Sequence, residues 1–391
     1  MAKADKEGQR KAPILRFKGF TDDWEQRQLK DISEKRTEKN NNLSINNVLS
    51  NSAVYGIIKQ TKYFDKTIAN NIQNYYVVHN NDFVYNPRIS NNAPFGPISR
   101  NTLTESGVMS PLYLVFHFSE ESLSDFFEIY FKSSKWHNFM YMHGNSGARS
   151  DRFAIKDNEF FKMKIKIPHS KSEIDKIYRL NILLDNLITL YEKKKQLLTQ
   201  LKQGIVNFLI TKNGQKSQLR FSGFNNNWES KSFEKLLNYE QPTKYIVKKA
   251  DYISQGTPVL TANKSFILGY TNENNVYQNI PAIIFDDFTL ESKYVDFPFM
   301  VKSSAIKILT SKNSNLFFIY QLLNNQRFVQ EGHSRHYISV VQKKKVLVPS
   351  IQEQNKIGNL IKQLENNIEQ NSDTIALLKS LKEFLLQNMF L

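Results

Sequence analysis

The chain has 391 residues, a net charge of +16 and a pI near 9.5, with 40% of its residues hydrophobic and 13% aromatic. That length and apolar content suffice for two domains with cores of their own, and the charge favours a polyanionic partner. With no cysteine, disulfides, thiolate zinc sites and cysteine nucleophiles are excluded. No apolar run approaches the roughly 18 residues of a membrane span, and the charged residues 1–11 lack a leader's apolar stretch, so a soluble cytoplasmic protein is expected.

After a tail over residues 1–14, the chain opens on Leu15-Arg16-Phe17-Lys18-Gly19-Phe20, three polar residues, then Trp24-Glu25. The same phrase returns as Leu219-Arg220-Phe221-Ser222-Gly223-Phe224, three polar residues, then Trp228-Glu229. A repeat of this length marks two copies of one structural unit. Within the first copy, residues 15–168, the runs Tyr75-Tyr76-Val77-Val78 and Leu112-Tyr113-Leu114-Val115-Phe116 read as strands, and residues 122–137 as a helix.

Residues 169–212 then read as one long helix. Ile177, Leu184, Tyr191, Leu198 and Ile205 share one heptad seam position, and Leu180, Leu187, Lys194, Leu201 and Phe208 the other. Asn213-Gly214 stops it and opens a linker over residues 213–218. The second module, residues 219–349, repeats the mixed character, with strands at Ala282-Ile283-Ile284-Phe285 and Ala305-Ile306-Lys307-Ile308-Leu309 and a helix over residues 314–329. A second long helix, residues 350–391, offers seams of Ile357, Leu364, Asn371, Leu378 and Leu385, and of Leu360, Asn367, Thr374, Leu381 and Asn388, with Ile361, Ile368 and Ile375 as a flanking stripe.

The repeat predicts an approximate two-fold axis, hence an antiparallel helix pair, with Tyr191, Lys194, Asn371 and Thr374 forming a polar middle that pins its register. The helices hold only +3 of the excess charge, and most of the rest lies in the modules. A general bias toward Lys, Asn and Ile is the alternative source of part of it.

Several segments could carry chemistry. Asn86-Pro87-Arg88 brushes against the signature of adenine methyltransferases but breaks it, and no Gly-rich loop after a strand is present to hold a nucleotide cofactor. Asp286-Asp287 with Glu291-Ser292-Lys293 imitates the carboxylates and lysine of a metal-dependent nuclease, or else supplies a base-reading Asp or a solvated turn. No phosphate-binding loop of the ATPase kind exists, and the seven histidines show no metal-ligand spacing. Before each module's last strand a Gly-containing loop recurs, with Arg149 and Arg152 in one and His333 and Arg335 in the other. Aligned on Ile155 and Ile338, Arg152 matches Arg335. An arginine there suits guanine or phosphate, or else braces its own module. The candidate DNA-binding residues are thus Asn86, Arg88, Arg149, Arg152, Asp287, Lys293, His333 and Arg335, with no catalytic or metal residue among them.

The twice-used Leu-Arg-Phe-x-Gly-Phe-x3-Trp-Glu opening and the Pro168 and Pro349 entries to paired long helices resemble the DNA-specificity subunit of type I restriction-modification enzymes. The resemblance implies an α+β fold: two mixed α/β target-recognition domains joined by two long antiparallel coiled-coil helices in a pseudo-two-fold internal repeat. It implies a non-catalytic subunit that reads a bipartite, asymmetric site in double-stranded DNA. It also implies two adenine methyltransferase subunits and restriction/translocase subunits as partners, which would hold the S-adenosylmethionine, ATP and Mg. A stand-alone two-module DNA-binding regulator and a metal-dependent nuclease are the competing readings.

Overall fold

The repeated opening phrase forms the same piece of structure in both halves of the computed structural model, which describes residues 11–64, 71–146, 151–210, 219–249, 251–263, 265–328 and 336–391. Gly19 and Gly223 turn the chain at φ +99° and +88°, a left-handed conformation that a Cβ disfavours. The following tryptophans meet a phenylalanine edge-on, Trp24 on Phe126 at 5.8 Å and Trp228 on Phe318 at 6.4 Å between ring centroids. Each phrase then becomes a strand paired antiparallel with the last strand of its module: Glu25–Gln28 with Lys164–Ile167, and Glu229–Ser232 with Lys345–Val348. The two ends of each module are so tied together beside the start of its long helix.

Between these matching ends the sequences diverge, yet the topology repeats. The first module holds an antiparallel four-stranded sheet ordered Ser33–Lys35, Leu114–Phe118, Phe83–Tyr85, Ile98–Arg100. The second holds Leu237–Glu240, Ile306–Ser311, Ala282–Asp286, Ser292–Val295 in the same order. The central strands Phe83–Tyr85 and Ala282–Asp286 are buried along their whole length, so apolar residues of adequate bulk serve there and the sequence is free to drift. A helix follows the second strand of each sheet, Glu121–Tyr130 and Leu316–Asn324. The first is shorter than the expected 122–137, and a separate helix, His137–His143, succeeds it.

The chain divides into two compact units, Met1–Leu190 with Thr374–Leu391, and Tyr191–Asp373, so each long helix gives part of its length to each. Both divisions fall in the polar middle of the helices. In the first unit, Ile174, Ile177 and Leu184 of the helix Lys171–Leu209 join Leu385, Leu386, Met389 and Phe390 of the chain end in one core with Trp24, Phe126 and Phe160. In the second unit, Ile357 and Ile361 of the helix Ile351–Asn388 join Val206, Leu209 and Ile210 around Phe233 and Phe318. Ion pairs fix the direction: Asp185 with Lys382 in the first unit, Lys202 with Glu365 in the second. Within each unit the two helix segments run antiparallel.

One of the two expected seams is corrected. The series from Ile177 to Ile205 and from Ile357 to Leu385 turns inward, but its companion is the series through Ile174, Asn181, Ile188 and Leu209, and through Gln354, Ile361, Ile375 and Met389. Leu201, Phe208 and Leu381 of the other expected seam are exposed, together with Leu183, Leu190, Leu197, Leu377 and Phe384. The inward series was masked in the sequence by its polar members: Asn181 turns its amide onto the Ile177 carbonyl at 2.9 Å and Lys202 finds Glu365.

Candidate nucleic-acid interface

The strand register makes the two modules comparable residue by residue. Tyr85 stands opposite Leu114 and Phe285 opposite Lys307 at the same place in their sheets, so the next residues, Asn86 and Asp286, are equivalent. Both do the same job. The Asn86 Oδ1 accepts the Arg88 N–H at 3.0 Å, and the Asp286 Oδ1 accepts the Phe288 N–H at 2.8 Å and the Thr289 N–H at 3.0 Å. Such side-chain to backbone bonds two residues on are the natural turn device of Asn and Asp. The segment before the last strand is then fastened to the turn: Phe153 donates its N–H to the Pro87 carbonyl at 2.8 Å, and Tyr337 donates its own to the Asp287 carboxylate at 2.9 Å.

In the first module this turn borders two cavities. One, of about 410 Å³, is lined by Ser52, Asn51, Asn86, Arg88, Asn92 and Tyr113 among others; the other, of about 310 Å³, takes in Lys35, Tyr76, Tyr113, Arg152 and Asp157. Arg88 and Arg152 are joined by a backbone bridge, so both cations stand beside Tyr113. Burial pushes the Tyr113 hydroxyl's pKa up, against the opposing pull of Arg88 and Arg152, and it stays a neutral donor at physiological pH. Amides, hydroxyls and guanidinium groups converging on a groove are the donors and acceptors that read base edges.

The expected site residues are placed unequally. Asn86 is buried, giving its amide to the Asn51 carbonyl at 2.8 Å, and frames the turn from inside. The Arg88 side chain is 63% exposed, with only a 3.6 Å approach to the exposed Asp151. Arg152 is half-buried and Lys293 half-buried on the strand Ser292–Val295. Asp287 corrects the expectation of a base-reading Asp, a solvated turn or a nuclease carboxylate: it is 1% exposed, 3.2 Å from the equally buried Lys307 Nζ, and braces Tyr337. Arg149, His333 and Arg335 lie outside the described residues. Of the polar middle, Asn371 is buried, Tyr191 and Thr374 are half-buried, and Lys194 is exposed with its ammonium 5.6 Å from the Tyr191 ring centroid.

The sequence reading missed the strongest polar feature. Arg16 of the opening phrase grips Glu173 on the first turn of its long helix at 2.6 and 2.9 Å, and Arg220 grips Glu353 at 3.0 and 2.7 Å, with both carboxylates buried. The Glu173 bond is the leading cause that raises the Arg16 pKa, as the Glu353 bond raises that of Arg220. A matching cation rests on each motif's second phenylalanine, Lys176 on Phe20 at 5.0 Å and Lys356 on Phe224 at 4.9 Å. The available signal was Ser170-x-x-Glu173 and Ser350-x-x-Glu353, the spacing of a helix capping box at one offset. Both serine hydroxyls do accept the Glu N–H, at 3.4 Å, while the carboxylates go to the arginines.

Comparison with known proteins bears on the whole chain through its fold. The crystal structure of a type I restriction-modification system S subunit from M. genitalium superposes with a TM-score of 0.63 over 97% of this chain and 99% of that one, at 14% sequence identity. The fold is that of a type I S subunit. Residues 225–380 match the family described as type I restriction modification DNA specificity domain, which takes in the second module and most of the second long helix. The EcoR124I/EcoR124II specificity subunit of Escherichia coli is 50% identical over 123 residues, a stretch that covers 29% of this chain and 30% of that relative. The strand pairs, matched sheets and antiparallel helices described above are thus the features of this S-subunit fold. No helix among the described residues is long and apolar enough to cross a membrane.

Proposed function

We propose that this chain is the non-catalytic, sequence-reading subunit of a type I restriction-modification enzyme, each module reading one half of a bipartite, asymmetric site in double-stranded DNA. One observation carries the reading. The same Arg–Glu clasp and sheet present the same turn twice, with Arg88 on one and Phe288 on the other, so one frame offers two chemistries. Unlike readers on a duplicated frame give an asymmetric site, as identical ones in a homodimer give a palindrome. The basic charge of the modules supports a phosphate-rich partner.

Two adenine methyltransferase subunits and restriction/translocase subunits complete this proposal and bring S-adenosylmethionine, ATP and Mg with them. The exposed leucines of the long helices, Leu183, Leu190, Leu197 and Leu377, offer those subunits an apolar surface. In this chain, the carboxylates closest to a nuclease pattern are engaged in a turn and a buried ion pair, which supports a reader rather than a catalyst. The test is a map of methylated adenines in the source strain with and without this chain. Loss of methylation at one bipartite motif is expected. An unchanged map, with the chain still binding DNA, would instead make it a stand-alone regulator.

A further inference from the structure

The two strand ends differ at one exposed position whose N–H is taken up the same way in both modules, although Arg88 continues into a backbone bridge with Arg152 and Phe288 into a tight turn. Arg88 and Phe288 each give their N–H to the residue two before, Asn86 or Asp286, so both side chains leave a braced turn at an equivalent point. Both are open to solvent: the Arg88 side chain is 63% exposed and Phe288 40%. The 3.6 Å approach of Arg88 to exposed Asp151 is long and readily exchanged.

A position that touched only phosphate would need a donor in both modules, because the backbone of DNA is the same in both half-sites. Phe288 has none to give. The change from guanidinium to phenyl is what a position facing base edges undergoes when its half-site changes. In the major groove, the guanidinium fork fits guanine O6 and N7, and an aromatic ring fits the thymine methyl. The exposed amide of Asn92, lining the cavity that Arg88 borders, stands ready for a neighbouring base.

Building on the DNA-reading role proposed above, we propose that this position discriminates bases in each module: Arg88 donates to O6 and N7 of a guanine in the first module's half-site, and Phe288 covers the C5 methyl of a thymine in the second's. A braced backbone suits this, since only the side chain, and not the segment that carries it, has to be ordered on binding.

The experiment starts from a duplex selected out of a randomised pool by the full wild-type chain. Each guanine is replaced in turn by 7-deazaguanine, which lacks the N7 acceptor, and each thymine by uracil, which lacks the methyl. One deaza position should weaken binding roughly 10-fold or more, and R88A should weaken binding to the unmodified duplex by about 5- to 150-fold, the range of one bidentate base contact. R88A should then lose nothing further on that deaza duplex. R88K should behave like R88A on the selected site while keeping its hold on random DNA. One uracil position in the other half-site should weaken the wild type and leave F288A indifferent.

Deaza and R88A losses that multiply would overturn the inference. So would equal R88A losses on selected and random DNA, with the salt slope lowered by about one. The modified duplexes need only the wild-type chain, so a variant that fails to fold does not blunt the test. If the chain selected no sequence at all, the DNA-reading role would fall too; a selected sequence indifferent to every deaza and uracil substitution would remove this inference alone.

Discussion

In the first half of the molecule Arg16 holds Glu173 at 2.6 and 2.9 Å, and in the second Arg220 holds Glu353 at 3.0 and 2.7 Å, yet the turns that these frames carry show Arg88 in one half and Phe288 in the other. The difference separates two kinds of constraint. A buried carboxylate must keep its cation, because either group left alone in the interior is strongly destabilising. An exposed side chain on a braced turn can change with what it meets outside. The interior of the two turns differs as well: Asp287 is ion-paired with Lys307, whereas its counterpart Pro87 offers only a carbonyl.

The clasp predicts the largest effect. Arg16→Ala, which strands the Glu173 carboxylate, should cost about 3–5 kcal/mol. Arg220→Ala should cost a similar amount. Hydrogen exchange on the full chain should place the first loss in the unit containing Met1–Leu190 and the second in Tyr191–Asp373. Equal protection changes in both units for either variant would mean that the halves are not independently framed.

Asp287→Ala leaves Lys307 without its carboxylate and should cost about 3–5 kcal/mol in urea melts, confined to the second unit. Replacing the pair together, Asp287→Leu with Lys307→Met, should recover most of that loss, because two apolar groups of like volume carry no desolvation penalty. Failure of the double variant to recover would show that the Tyr337 N–H bond, not the ion pair, is what the turn needs.

Asn371 predicts a gain. Its Oδ1 is buried without a partner among the described residues while its amide bonds back to the Asn367 carbonyl, so Asn371→Leu should raise stability by about 1 kcal/mol. It should also loosen the register of the helix pair, which a cross-link between engineered cysteines at Lys202 and Glu365 would detect as reduced yield.

The smallest effect is a pH dependence of the first unit. His137 lies between the rings of Phe95 and Trp136, and burial lowers its pKa below the ordinary 6.5. The unfolded chain therefore takes up this proton at a higher pH than the folded one. The associated stability is fully present above about pH 6.5 and is lost as the pH falls through the lower folded value. His137→Phe should flatten that slope in melts between pH 7 and pH 5.

What the sequence made legible was whatever the two halves had to keep in common. The opening phrase, the two prolines and the heptads led to paired modules and long helices because a repeated residue pattern needs no knowledge of the third dimension. The four-stranded sheets escaped notice as repeats, since Phe83–Tyr85 and Ala282–Asp286 meet the same burial with different residues. Asp287 misled because a carboxylate pair looks alike on a surface and in a core, and its partner Lys307 lies on another strand. The inward helix series was hidden by Asn181 and Lys202, whose polar ends find partners that sequence spacing cannot display. Arg88 was legible as chemistry, but its equivalence to Phe288 needed the strand register.

The most direct test of a duplicated frame with two independent readers is to exchange residues 15–168 for the corresponding module of a type I S subunit and map adenine methylation in cells carrying the hybrid. The frame should accept the new module, so that one half of the recognised site changes completely while the other keeps its sequence. A hybrid that altered both halves, or that folded and methylated with the original site intact, would contradict the account.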